Sequence, residues 1–372
     1  MHVGVNLIFR VPGETGGMDV YARELVPRLA AVEGLRVTAF VNREAAREDL
    51  GVPRVVVPVR ATNRLEWVRG EQVLLPPMAA RAGVDLVHSL ASTAPLRGRF
   101  RRVVTIHDLL YKVIPDAHFG LRGLGMRVLV PGAARSAHRI IVDAASTRED
   151  LRRHLGTPGG KIDVVPLGRG ATPGVAPTDE ARLRAELDLG ARPVVLSVSA
   201  KRPHKNLLHL VEAHAALPEP RPVLVLPGYP TPHEDELRAR AAALGTAGDV
   251  RFPAWVGAAD LEALYRAASV FAFPSRYEGF GLPVLEAMVR RVPVVCSAGG
   301  SLAEVAGDAA LLVDPDDTGA LTAALARVLA LPALAEELRD AGQARAAAFS
   351  WERTARETAA SYGRAMAPRA SS

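Results

Sequence analysis

Short runs dense in Val, Ile, Leu and Phe alternate along the chain with longer stretches in which Leu and Ala recur every three or four positions among Arg and Glu. In the first part the runs are HVGVNLI, VTAFV, RVVVPV, DLVHSL, RRVVTIHD, RIIVDA and KIDVVPL. After residue 190 the pattern restarts with PVVLSVS, PVLVLPG, VRFPAWV, SVFAFPS, PVVCSA and AALLVDP. Runs of this length, apolar throughout, predict strands buried on both faces, as in a parallel sheet. Between them, MDVYARELVPRLAAV, LLHLVEAHAAL, HEDELRARAAALG, AADLEALYRAA, PVLEAMVRR and TGALTAALARVLALP predict helices. The fold class is therefore α/β, with two doubly wound, Rossmann-like parallel sheets. Gly, Pro and Thr crowd into GRGATPGVAPTDEA, residues 168–181, which reads as a linker. The expected division is a first domain over 1–170, a second over 171–345, and a terminal segment over 346–372. That last segment contains SWERTARETAASYGRAM, a helix with no strand after it to feed, expected to pack back across the domains.

Composition adds bounds. A length of 372 residues suits two domains. No run of eighteen uncharged apolar residues occurs, so no helix is expected to span a membrane. The start MHVGVNLIFR reads as a first strand rather than a signal peptide. The single cysteine, Cys296, excludes an intrachain disulfide framework and suits a cytoplasmic location. Net charge is +6, and it is uneven: residues 1–170 hold 25 Lys and Arg against 16 Asp and Glu. A basic first half suggests an anionic neighbour, or simply Arg-rich solvated faces. Nucleic acid is not the expected partner, because no helix-turn-helix, zinc or aromatic RNA-binding signature accompanies the charge.

Four stretches carry candidate chemistry. SRYEGFGLPVLEAM follows the strand SVFAFPS and opens a helix with Pro283 near its first turn. In open α/β sheets, ligands bind beyond the carboxyl ends of the strands. Gly279 and Gly281 let backbone approach a ligand, and helix-start amides can hold a phosphate or a sugar hydroxyl. Glu286, about one turn into the helix, can accept two hydrogen bonds from a vicinal diol, and Glu278 lies on the loop side. Two solvated glutamates around a capping loop are the plainer reading. SVSAKRPHKNLLHLVEA places Lys201, Arg202 and Lys205 between a strand end and a helix, either as cations for a diphosphate or as a solvated basic loop. PGETGGMDVYAREL puts Gly16 and Gly17 before an amphipathic helix, an anion site or only a turn. VVTIHDLLY ends a strand in His107 and Asp108, where the histidine is a base, a ligand to metal, a donor to a hydroxyl, or a strand-end cap.

PSRYEGFGLPVLEAM followed by PVVCSAGGSLAEVAGDAALLVDPDD resembles the nucleotide-sugar-binding half of the family-four retaining glycosyltransferases of the GT-B fold. The likeness is strongest over about 190–330 and extends over nearly all the chain. It implies two Rossmann-like domains facing a cleft, and transfer of a hexose from a nucleoside diphosphate sugar with retention at the anomeric carbon. It implies no metal and no cofactor. Glu278 would lie near the donor sugar and Glu286 on the ribose. The amides of Gly279, Phe280, Gly281 and Leu282 would meet sugar hydroxyls and phosphate. Lys205 matches the family's phosphate lysine. The arginine many relatives carry five or six residues earlier is absent, since Ser199 and Ala200 stand there, so Lys201 is taken as the partner cation in preference to Arg202. Gly16 and Gly17 would face the donor phosphates, and His107 would lie beside the transferred sugar with Asp108 orienting it. The resemblance favours GDP-mannose, with a UDP-sugar as the alternative. The acceptor would be a hydroxyl of a glycan, a lipid-linked glycan or a small natural product.

Other features are set aside. The DPD of Asp314 and Asp316 reads as a turn rather than a metal site. His88, His118, His204 and His214 lack metal-ligand spacing, and Cys296 reads as buried and inert. Arg97, Arg99, Arg101 and Arg102, and the basic stretch 120–139, read as solvated surface, with weak peripheral contact at the inner membrane face as the alternative and, for 120–139, an acceptor surface as another. The rival functions are a nucleotide-sugar epimerase of similar architecture and a non-catalytic nucleotide-sugar-binding module.

Overall fold

The structure, a computed structural model, describes residues 1–12, 16–114, 120–170 and 175–368. Parts of the glycine-rich turn (13–15) and of the linker (171–174), and His118, lie outside the described residues. The chain forms two compact units, Met1–Gly168 with Phe349–Ser372, and Arg169–Ala348.

The first unit holds a seven-stranded sheet in the order β3-β2-β1-β4-β5-β6-β7. Its strands are β1 (His2–Asn6), β2 (Arg36–Val41), β3 (Arg54–Val56), β4 (Leu86–Ser89), β5 (Arg101–Thr105), β6 (Arg139–Val142) and β7 (Ile162–Val164). All neighbours pair in parallel. Each connection must therefore cross over a face, and the strands inside the edge strand β3 are covered on both sides. Val3, Val5, Val103, Val104, Ile140 and Ile141 are fully buried, as the unbroken apolar runs demand.

The second unit holds six parallel strands in the order β10-β9-β8-β11-β12-β13. They are β8 (Val194–Leu196), β9 (Val223–Val225), β10 (Val250–Arg251), β11 (Val270–Phe273), β12 (Val294–Ser297) and β13 (Leu311–Val313). Its core joins Val195, Leu224, Val270 and Val295 of the strands to Leu207, Leu210 and Val211 of the helix Leu207–Ala215 and Leu321 and Leu325 of the helix Thr318–Ala330. Every run expected to be a strand contains one.

Several helices carry no apolar stripe in the sequence and were not expected. In Ala145–Leu155 only Thr147 and Leu151 are buried, so charged residues mask the helical period. Arg64–Arg69 and Leu75–Arg81 are joined by a π turn, Gly70–Leu74, which breaks that period outright. The terminal helix Trp351–Met366 packs into the first unit. Thr354 Oγ1 donates to Pro166 O at 2.8 Å, Tyr362 OH lies 2.8 Å from His88 Nδ1, and a Cβ on Gly168 would come within 2.4 Å of the Trp351 ring. Among the described residues, no single helix is long and apolar enough to cross a membrane.

Candidate functional site

In the second sheet, strand order reverses between β8 and β11, and the loops leaving their carboxyl ends hold the expected donor residues. After β8, a 3-10 turn Pro203–Lys205 ends at Asn206 in a left-handed conformation, φ 59, whose side chain donates to Pro315 O at 2.6 Å. This fixes Lys205 at the mouth of the strand. After β11, the loop runs through Glu278 to Gly281, which caps the helix Leu282–Val289. Gly281 has φ 124, and a Cβ there would meet Leu302 Cδ2 at 2.7 Å, so glycine is required twice over.

The two loops meet. Lys205 Nζ donates to Glu278 Oε1 at 2.6 Å and lies 5.3 Å from the centre of the Phe273 ring. Ser301 Oγ donates to the Glu278 carbonyl at 2.8 Å, holding the loop from the β12 side. Phe280 and Leu282 are buried at 6% and 9% exposure, so their side chains anchor the loop. Glu286 sits one turn into the helix, accepts the Tyr265 hydroxyl at 3.1 Å, and packs so closely on Gly170 that a Cβ there would fall 2.4 Å from its Cγ. Burial, then the nearby Glu286 charge, pushes the Tyr265 hydroxyl far above its ordinary range, so it stays a donor. The buried hydroxyls of Ser197, Ser275 and Ser297 at these strand ends have no partner among the described residues.

Lys201 is not brought to this cluster. It is fully buried, and its ammonium donates to Gly228 O at 2.8 Å and Pro253 O at 3.1 Å, with Glu234 at 3.2 Å. Burial lowers its pKa and Glu234 only partly restores it. Its charge is already met inside the unit. Arg202 has no side-chain hydrogen bond or ion pair among the described residues.

In the first unit, Gly16 is exposed with φ 55 at the N-cap of the helix Gly17–Ala30, and its carbonyl accepts the Asp19 amide at 2.9 Å. Behind that turn, Arg10 is wholly buried between Asp19 and Glu48, each at 2.6 Å. His107 leaves the end of β5. Its Nδ1 lies 2.6 Å from Asp143 Oδ2 and its Nε2 2.8 Å from Leu90 O. Leu90 O can only accept, so Nε2 donates to it, while Nδ1 and Asp143 Oδ2 share a proton. Burial works against a charged ring, but the Asp143 carboxylate and the Leu90 carbonyl outweigh it and raise the His107 pKa.

The orienting carboxylate is thus Asp143 and not Asp108, which instead accepts the Leu110 amide at 2.9 Å. Parallel register explains the choice. Thr105 pairs with Ile141, so two residues further on His107 comes level with Asp143. The signal was present in RIIVDA, whose acid Asp143 follows its apolar run as His107 follows that of the neighbouring strand. Tyr265 and Ser301 gave no comparable signal. Cys296 is buried, and burial pushes its thiol up to about 12. Asp314 Oδ1 accepts the Asp316 amide at 2.9 Å, the turn expected there.

Comparison with known proteins gives the family. Residues 15–169 match the model of Glycosyltransferase Family 4, and residues 179–345 match that of Glycosyl transferases group 1. The O-antigen chain mannosyltransferase B of Escherichia coli is 34% identical over 269 residues, 70% of each chain. A D-inositol 3-phosphate glycosyltransferase of Actinosynnema mirum is 32% identical over 381 residues, 97% of this chain and 83% of that one. The structure of sucrose-phosphate synthase from Thermosynechococcus elongatus superposes with a TM-score of 0.79 over 98% of both chains at 24% identity, a likeness of fold. The chain belongs to the family 4 glycosyltransferases of the GT-B fold.

Proposed function

We propose that this glycosyltransferase moves a hexose from a nucleoside diphosphate sugar to an acceptor hydroxyl, with retention and without a metal ion or cofactor. The observation that carries the reading is the Lys205–Glu278 pair at 2.6 Å, set beside the Gly281-capped helix at the strand-order reversal. In the reaction, the bond from the anomeric carbon to the diphosphate oxygen breaks and a bond to the acceptor oxygen forms on the same face. The acceptor's proton passes to the departing diphosphate. Lys205 and the helix-start backbone of Gly279, Phe280, Gly281 and Leu282 offset the charge that gathers there. Glu286 takes the ribose hydroxyls, and Gly16 and Gly17 serve the diphosphate. Glu278 and His107 hold the sugar's hydroxyls. Nε2–H of His107 reaches a sugar hydroxyl by exchanging its bond to Leu90 O, and positioning does the work that a dedicated base does elsewhere.

GDP-mannose is the favoured donor, its mannose supported by the name of the Escherichia coli relative, with a UDP-sugar as the alternative. The acceptor belongs to a glycan, a lipid-linked glycan or a small molecule. A polyol phosphate is the second reading, because the relative bearing such a name covers 97% of this chain. A cytoplasmic location with weak contact at the inner membrane face goes with this reading. The exposed cations Lys112, Arg127 and Arg135, which line a groove of about 670 Å³, support it. Thermal-shift screening of nucleoside diphosphate sugars tests the donor, since a ligand at 100 times its Kd stabilises by ~2.7 kcal/mol. GDP-mannose is expected to raise Tm in the wild type and not in Lys205→Ala. Binding of no nucleotide sugar, or full turnover by Lys205→Ala, would overturn the reading. Failure to sediment with anionic vesicles would remove its membrane part.

A further inference from the structure

At the carboxyl ends of β1 and β4, where strand order reverses in the first sheet, a polar cluster is buried. Asn6, the last residue of β1, donates from Nδ2 to Ser89 Oγ at 3.1 Å and to Glu71 Oε1 at 3.0 Å. Thr93 Oγ1 donates to the same Oε1 at 3.0 Å, and Gln72 Nε2 donates to Glu71 Oε2 at 3.0 Å. Glu71 is 2% exposed. It stands on the π turn Gly70–Leu74, closed by the Leu75 amide to Gly70 O. Turns of this kind are rare and frequently mark functional sites. A Cβ on Gly70 would come within 2.8 Å of Val59 Cγ2, so the turn is packed in place.

The same residues clamp the loop that follows β4. Gln72 Nε2 also donates to Ala94 O at 3.0 Å, and Gln72 Oε1 accepts the Leu96 amide at 3.0 Å. The Ser92 amide, at φ 61, donates to Thr105 O at 2.9 Å. At the start of this loop, Leu90 O receives His107 Nε2–H at 2.8 Å.

We infer that Glu71 is a positioning residue for His107: its carboxyl, through Thr93 and Gln72, sets the loop Leu90–Leu96, and the Leu90 carbonyl sets the His107 ring. Burial pushes the Glu71 carboxyl up to about 7, against the hydrogen bonds of Thr93, Asn6 and Gln72. The carboxyl therefore changes charge near neutrality. Ionised, it accepts from all three donors. A proton on Oε2 would meet the Gln72 amide donor to donor, and turning that amide over withdraws its bonds from Ala94 O and Leu96 N–H. The groups facing Glu71 are the neutral Asn6, Thr93 and Gln72, and it has no ion pair among the described residues. His107 faces Asp143 and Asp108, with neutral His88 and Tyr21 beside it.

The test is a histidine NMR titration of the full chain labelled at 13Cε1, with the His107 signal identified by its loss in His107→Gln. The wild-type His107 signal is expected to show an added inflection near pH 7 from Glu71. Glu71→Gln should abolish it and lower the His107 pKa. Thr93→Val, which cuts the link and leaves the carboxyl, should also lower it. In the kinetic arm, which rests on the reading of His107 at the sugar, both variants should lose kcat by about ten- to a hundredfold, with KM for the donor unchanged. Folded variants that titrate His107 as the wild type does would overturn the inference. A shifted titration in an enzyme that turns over no nucleotide sugar would uphold it while sinking the proposed function.

Discussion

Replacing Glu71 by glutamine separates the charge of a buried carboxyl from its shape, and the cost of that charge follows from the structure. Burial outweighs three hydrogen bonds and lifts the carboxyl from 4.5 to about 7. The native state then holds this proton more tightly than the unfolded chain. Between pH 4.5 and about 7 the unfolded chain binds fewer protons, so stability falls as pH rises across that window and is level on either side. Each tenfold difference in proton affinity is worth 1.36 kcal/mol, so the gap amounts to ~3 kcal/mol lost by pH 7. Glutamine does not titrate. Relative to the wild type, Glu71→Gln is therefore expected to gain ~3 kcal/mol between about pH 4.5 and pH 8. Urea unfolding followed by tryptophan fluorescence reads the difference. In a Trp255→Phe background, Trp67 and Trp351 report on the first unit alone, which matters because a chain of two units need not unfold in one two-state step. Parallel stability curves for the two proteins across that range would refute the reasoning, because they would mean that Glu71 binds its proton equally well folded and unfolded.

Two further outcomes are expected. Asp143→Asn removes the carboxylate that offsets burial of the His107 imidazolium, so the His107 pKa should drop from above its ordinary value to below it in the same NMR titration. The stability His107 contributes, present below about pH 6.5 and lost as pH rises through its native pKa, should vanish with it. Gly281→Ala places a Cβ 2.7 Å from Leu302 Cδ2 at φ 124, which should cost about 1–3 kcal/mol in unfolding experiments and reduce the thermal shift given by the donor. An unaltered His107 titration, or a Gly281→Ala protein with wild-type stability and binding, would contradict the geometry from which each is drawn.

Strand placement was legible because parallel strands buried on both faces must be apolar at every position, and each of the expected runs holds a strand. The placement of Glu278, Gly281 and Lys205 in strand-end loops was legible for the same reason, since glycine and charge stand out at the ends of such runs. Helices such as Ala145–Leu155 were hidden because a helix with two buried residues leaves too faint a period. Lys201 shows the converse error. A lysine in a basic loop reads as exposed, yet Gly228 O and Pro253 O, contributed from 27 and 52 residues away, draw it inside.

What the amino-acid order determined by itself is local: which segments are strands, which junctions are rich in glycine and charge, and hence the family and its fold. Only the tertiary structure decided who partners whom. Asp143 reaches His107 through the register of β5 against β6, Glu71 on its π turn reaches Asn6 and Thr93, and Tyr362 reaches His88 across 274 residues of chain. Hydrophobic periodicity is written in neighbouring residues, whereas a hydrogen bond between distant ones exists only once the strands between them have been ordered.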